Sequence, residues 1–161
     1  MSSKLGNKIP KNIVDSLESS RTGREGSVIF LITTDPDGFP HIALLSPYQV
    51  IIEDESTIYF SLYKRSSSHD FLIRNKKFTL IIQDLPALLY LKCQIISFGN
   101  SLEEINDESH QFFKAKTTAV LMDVSDRAPL ISELLFETKG IKDEYNSEFL
   151  GLSEFVKKLR E

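Results

Sequence analysis

The chain has one cysteine, Cys93, and no tryptophan among its 161 residues. A single thiol cannot close an internal disulfide and excludes a cysteine-rich metal centre. A reducing cytoplasm is the simplest compartment for such a chain. No apolar run approaches the roughly 20 residues that a membrane-spanning helix needs. The opening residues MSSKLGNKIPKN have no apolar core, so no signal peptide is expected. Positive charge is also scarce: 19 Lys and Arg stand against 23 Asp and Glu, for a net charge of −4. A general nucleic-acid binder needs a basic face for phosphates, and this balance argues against one. The three histidines, His41, His69 and His110, lack metal-ligand spacing such as H-E-x-x-H. There is no G-x-S-x-G elbow, no G-x-x-x-x-G-K-[ST] loop and no G-x-G-x-x-G. The carboxylates form no recognisable acid/base pair, so no catalytic residue is assigned. No repeat, low-complexity tract or long linker divides the chain. The expectation is one domain over 1–161, with a core over about 10–138 and a C-terminal helix over about 147–160.

What is present is best read from residues 57–75, TIYFSLYKRSSSHDFLIRN. Ile58, Phe60 and Leu62 alternate with Thr57, Tyr59, Ser61 and Tyr63, which predicts a strand with two different faces. Lys64-Arg65 and Ser66-Ser67-Ser68 follow. Ser67 with Asp70 three residues on fits a helix start of the capping-box kind, with Phe71 and Leu72 as its apolar side. A strand therefore delivers two cations and three hydroxyls to a helix N-terminus, a place suited to an anion. On local grounds alone, serines before a helix are more often only caps and a Lys-Arg pair on a loop is more often only solvated.

The remaining chain supplies short strands and helices. Residues 1–8 are polar and expected to fray. Pro10 with Ile13, Val14 and Leu17 predicts a helix over about 10–18. Ser27–Thr34 is a continuous apolar run, read as a strand covered on both faces. Asp35-Pro36-Asp37-Gly38 is a turn, and a second strand starts near Pro40 and runs to Ser46. Pro47 interrupts it, and Gln49–Glu53 continues as strand. FTLIIQD at 78–84 and residues 89–96 alternate as strands, with Cys93 as a buried small hydrophobe. Ser101 and Glu104 predict a helix that carries Ile105, Phe112 and Phe113 to about Lys116. Thr117–Val124 reads as strand. Residues 130–137 lean to strand, and Phe149, Leu152, Val156 and Leu159 predict a C-terminal helix. Antiparallel strands with inserted helices predict a mainly β fold, a small barrel with peripheral helices.

This order of parts resembles the pyridoxamine 5'-phosphate oxidase-like FMN-binding split barrels. ITTDPDGFPHIALLS is similar to that family's opening hairpin. TIYFSLYKRSSSHDFLIRNKKFTLII is similar to its third and fourth strands around a short helix, and Leu72 and Asn75 fit the family's Leu-x-x-Asn spacing. LYLKCQIIS resembles the strand that follows. The resemblance covers roughly residues 10–136 and implies an antiparallel split β-barrel of the FMN-binding type.

It also implies a homodimer with FMN at each end of the subunit interface, and a small-molecule substrate or ligand. Carried over by position, the phosphate would be held by Lys64, Arg65, Ser66 and Ser68, with His41 and Ser46 on the second strand. Ser61 and Leu62 would lie along the flavin. Ser68 stands where the family usually has lysine, and His41 and Ser46 stand where the oxidases usually have arginine and lysine. Without tryptophan, the oxidases' arginine-tryptophan C-terminal signature is missing. The resemblance thus implies a flavin-dependent oxidoreductase other than a true pyridoxamine phosphate oxidase. The alternatives are a non-enzymatic FMN- or ligand-binding protein and a flavin-free dimeric split barrel.

Overall fold

The computed structural model describes residues 2–23, 26–100 and 109–161. Eight strands form one antiparallel sheet. They are β1 (Ser2–Gly6), β2 (Ile29–Thr34), β3 (Pro40–Leu45), β4 (Val50–Ile52), β5 (Thr57–Tyr63), β6 (Lys77–Asp84), β7 (Ala87–Asn100) and β8 (His110–Asp123). The hydrogen-bonded order is β3-β2-β6-β7-β8-β5-β4. The long strand β8 serves two neighbours along one edge. Its first half pairs with β5 (Tyr63↔His110 to Thr57↔Lys116), and its second half pairs with β1 (Gly6↔Val120 to Ser2↔Asp123). Among the described residues three α-helices accompany the sheet: α1 (Lys11–Gly23), α2 (Ser67–Asn75) and α3 (Lys142–Arg160).

The sheet curls around one apolar core. Leu31, Val50, Ile58, Phe60, Leu80, Leu91 and Phe113 fill it from the strands, Ile13 and Leu17 enter from α1, and Leu72 enters from α2. Phe60 stacks on Phe113 at a ring separation of 5.1 Å. The period-2 alternation read in 57–63 and 78–83 produces this division of faces. At the β2–β3 turn, Asp35 Oδ1 accepts from the Asp37 and Phe39 amides, and Gly38 adopts φ +89°. That left-handed conformation is cheap only without a Cβ.

The second, outer face of the sheet divides in two. Over β4, β5 and the start of β8 it is covered by α3, where Leu152, Phe155 and Val156 bury Tyr59 and Phe112. A Cβ on Gly151 would stand 3.3 Å from Phe112 Cζ, so glycine here lets the helix sit close. Elsewhere the outer face carries a registered apolar row. Leu44 pairs with Phe30, Phe30 with Ile81, Ile81 with Tyr90 and Tyr90 with Leu121, all on one side. In the next row, Ile42 pairs with Ile32 and Ile32 with Thr79. Ile42 and Leu44 are exposed.

Several expectations are corrected. Residues 110–116 are strand, not helix. Phe112 and Phe113 point to opposite faces, one under α3 and one into the core. The proposed start of that helix, at Ser101–Glu104, lies outside the described residues. Residues 2–6 are not frayed but pair as an edge strand, using backbone alone, with every side chain exposed. Residues 130–137 form no regular strand. They run as a connector held by a single bridge, Ser27↔Leu135, and by Gln83, whose Oε1 accepts from Leu134 N–H at 2.8 Å. Strand β2 is buried on one face only, in alternation, and half-buried on the other. Pro47 does interrupt the chain after β3, in a 3-10 turn over Pro47–Gln49.

Candidate functional site

The segment Lys64–Ser68 bridges β5 and α2. Lys64 N–H donates to Ser109 O at 2.8 Å, which ties the turn to the start of β8. Ser66, not Ser67, caps the helix: its Oγ accepts from His69 N–H at 3.2 Å and donates to Tyr63 O at 2.8 Å. The amides of Ser67 and Ser68 fall in the first turn, where an α-helix has no intrahelical acceptor to offer. Tyr63, Lys64, Arg65 and Ser109 line a cavity of about 400 Å³. Neither Lys64 nor Arg65 faces a carboxylate within ion-pair distance among the described residues. Two cations without a carboxylate partner among the described residues, beside a concave space at a helix N-terminus, can hold a dianion.

The other residues singled out by sequence are more scattered. His41 sits on β3 and meets Phe71 of α2 edge-on, with ring centroids 5.1 Å apart. Ser46 follows β3 and is buried, and its Oγ has no hydrogen-bond partner. Ser61 is fully buried, also with an unpartnered Oγ. It lies on the outer face of β5 between Tyr59 and Tyr63, paired with Phe112. Leu62 points the opposite way, into the apolar core, so only its backbone is left to meet a ligand. Ser68 is 3% exposed and packs inward from the first turn of α2.

Three residues beside this cavity carry chemistry that the sequence did not reveal: Ser109, His110 and Glu148. His110, on the outer face, lies under the Tyr63 ring at a centroid distance of 4.2 Å. Its Nδ1 is 3.0 Å from Ser109 Oγ. Its Nε2 is 3.3 Å from Glu148 Oε1, and both side chains are largely buried. The Tyr63 hydroxyl donates to the same Glu148 oxygen at 3.1 Å. Glu148 Oε2 is buried and unpartnered. Ser109–His110 is a local pair, but Glu148 arrives from α3, so no sequence spacing could have announced the group. His69, by contrast, belongs to the inner side, where its ring contacts Gln111 and Asp70.

A larger concavity of about 460 Å³ opens on the outer face, lined by residues that include Ile32, Thr34, Lys77, Thr79, Lys92, Gln94 and Thr118. It adjoins the apolar row described above and shares none of the sequence-selected residues.

An antiparallel sheet curled around one core, with α2 inserted between its fifth and sixth strands, defines the pyridoxamine 5'-phosphate oxidase-like split-barrel fold, and solved structures agree. A candidate pyridoxamine 5'-phosphate oxidase from Lactobacillus delbrueckii superposes with a TM-score of 0.56 at 16% identity, over 73% of this chain and 97% of its own. An F420 reductase gives 0.52 at 14% identity, over 70% and 98%. HupZ from Group A Streptococcus gives 0.54 at 10% identity, over 80% and 98%. Neither a family model nor a curated protein matches the sequence. At these identities the likeness establishes the fold.

Proposed function

We propose that this protein binds FMN through its phosphate at the Lys64–Ser68 turn and acts as a flavin-dependent oxidoreductase on a small molecule. The observation that carries the reading is the pair Lys64 and Arg65, without carboxylate partners among the described residues, on the wall of the cavity at the start of α2. Its volume of about 400 Å³ falls within the roughly 300–1,000 Å³ typical of cofactor pockets. The donor set also fits. A phosphate monoester carries close to two charges near neutral pH and accepts several hydrogen bonds, and here two cations line the cavity beside the first-turn amides of α2. Bound FMN would supply hydride and electron transfer, chemistry that the side chains cannot perform themselves. Lys64 and Arg65 would neutralise the phosphate, and Ser66 would hold the turn in place through its cap. His41, Ser46, Ser61 and Ser68 take lesser parts in this reading. His41 braces α2 through Phe71, and the other three are buried.

The proposed assembly is a homodimer. The row Leu44–Phe30–Ile81–Tyr90–Leu121, with exposed Ile42 beside it, is the apolar surface that a second copy would cover. The 460 Å³ concavity would then lie at that interface.

A second reading, a flavin or ligand binder without catalysis, is favoured by one observation. Positions 41, 46 and 68 carry no lysine or arginine, so less charge is available to position a cofactor. The test is the absorbance of purified protein in the flavin region, followed by reduction of bound FMN with a nicotinamide donor. Bound flavin that is reduced in turnover supports the oxidoreductase. Bound flavin inert to every donor supports the binder, and a colourless protein that takes up no added FMN refutes the flavin in both readings.

A further inference from the structure

We propose that the concavity of about 460 Å³ on the outer face is a second anion site, which takes a small organic molecule with a phosphate or carboxylate head and an apolar body. The site uses no residue of the Lys64–Ser68 turn, so it stands or falls apart from the flavin reading.

Strand register builds it. On the outer face Thr79 of β6 pairs with Lys92 of β7, and one row further along Lys77 pairs with Gln94. Gln94 pairs in turn with Lys116 of β8. Residues directly opposite, or two apart on a strand, share a face, so Lys77, Lys92 and Lys116 surround Gln94. Lys77 and Lys92 line the concavity, and Lys116 stands at the next position in register. All three are exposed. A bulge in the β7–β8 pairing adds Thr118 to the wall, where its hydroxyl donates to Lys92 O at 3.0 Å.

Among the described residues, none of these lysines has a carboxylate within ion-pair distance. Asp35, which follows Thr34 of the wall, accepts from the Asp37 and Phe39 amides, and Glu53 is held by Tyr59 and Arg160. Lys114, further along this face, is placed over the Tyr59 ring, 5.6 Å from its centroid. Like charges at neighbouring positions on a sheet repel. Gathering them around a hollow, in a chain of net charge −4, creates a local field that draws an anion in.

Polarity falls away from the lysines along one row. Lys92 pairs with Thr79, Thr79 with Ile32, and Ile32 with exposed Ile42. Neighbouring strands lie about 4.8 Å apart, so the row passes from a cation through a hydroxyl to two isoleucines over roughly 14 Å. That gradient fits a ligand whose charged head meets Lys77 and Lys92 and whose apolar body lies on Ile32. Lysine serves either head, because its ammonium is a compact charge with three rotatable donors. In the dimer proposed above, a second copy would close the hollow over the ligand.

The test is an amide-resolved NMR titration of the full chain with phenyl phosphate, benzoate, inorganic phosphate and neutral phenol. Phenyl phosphate or benzoate should give saturable shifts at Lys77–Thr79 and Lys92–Gln94 that extend to Ile32, and their ranking identifies the head. Inorganic phosphate should bind the same lysines more weakly, and phenol should not saturate the site. Lys77→Ala combined with Lys92→Ala should weaken binding about tenfold or more, and each single substitution about threefold. Both side chains are exposed, so circular dichroism should not change, and the single variants decide the matter if the double variant does not fold. Lys64→Ala should leave these shifts as they are. The proposal is overturned if no probe saturates these amides, if the shifts survive loss of the lysines, or if phenol binds as well as the anions. Shifts confined to Lys64–Ser68 also overturn it. Saturation at Lys77 and Lys92 in a protein that binds no FMN upholds this site and refutes the flavin reading alone.

Discussion

The Tyr59 hydroxyl donates a 2.8 Å hydrogen bond to Glu53 Oε2, and Glu53 Oε1 takes the Arg160 guanidinium from the end of α3. Strand β5, the segment just after β4 and the C-terminal helix meet in that contact. Burial, reinforced by the Glu53 hydrogen bond and charge, pushes the Tyr59 phenol up to about 12. An unfolded tyrosine titrates at about 10. The raised value belongs to the neutral, proton-bearing form. The contact therefore contributes fully below pH 10 and is lost as pH rises through 12. Alkaline titration at the tyrosinate band should show a late-ionising phenol that Tyr59→Phe removes. The same substitution should cost about 1.5 kcal/mol in chemical denaturation, the lower end for a hydrogen bond to a charged group, since Arg160 still holds Glu53. A titration curve unaltered by Tyr59→Phe would refute this.

Cys93 should be chemically silent in the native protein. It is buried between Leu91 and Thr117 contacts, and burial pushes its thiol up to about 12, with Thr117 opposing weakly. Only the thiolate reacts with disulfide reagents. A thiol assay should count no reactive cysteine at pH 8 in the folded state and one per chain in denaturant. Rapid labelling of the folded protein would contradict its placement.

The apolar row on the outer face predicts a dimer that charge can break. Ile42 and Leu44 are 58% and 48% exposed in the single chain, so Ile42→Glu and Leu44→Glu should leave the fold intact. Light scattering should give a dimer for the wild type and a monomer for the double variant, with unchanged circular dichroism. A wild-type monomer at micromolar concentration would dismiss the interface.

Ser66 separates capping from binding. Ser66→Ala removes the acceptor for His69 N–H and should cost about 1 kcal/mol of stability, as N-cap losses do. Its effect on FMN affinity should be smaller than that of Arg65→Ala, because a neutral donor is lost rather than a charge. An affinity loss as large as that of Arg65→Ala would make Ser66 a phosphate ligand in its own right.

Where alternation and caps were local, the sequence was readable. Strand β5, helix α2 and strand β6 lie where period-2 patterning and the serine run placed them. The helix start slipped by one residue because three consecutive serines offer equivalent caps. The failures have physical causes. Phe112 and Phe113 are adjacent, and two neighbouring aromatics fit a helix side or a strand buried on both faces. Packing by α3 on one side and the core on the other decided for strand. Residues 2–6 have no apolar signal, since β1 is held by backbone pairing to β8. At the candidate site, Lys64, Arg65 and Ser66 were legible as a cluster. Glu148 was not, because it reaches His110 only after α3 folds back over the sheet. Ser68 was read as the place of a missing lysine, but its burial means that a lysine there would have to displace packed atoms rather than simply restore a charge.

The central claim is that Lys64 and Arg65 hold the phosphate of a flavin. Its most direct test is titration of wild-type, Lys64→Ala and Arg65→Ala protein with FMN and with riboflavin, followed by flavin fluorescence. Riboflavin lacks the phosphate, so the difference between the two ligands isolates that contact. The account predicts that the wild type prefers FMN, and that Arg65→Ala weakens FMN tenfold or more, the equivalent of about 1.5–3 kcal/mol for a charge-assisted bond. Riboflavin affinity should stay the same in all three proteins. A wild type that binds neither ligand, or FMN affinity unchanged in both variants, would contradict it.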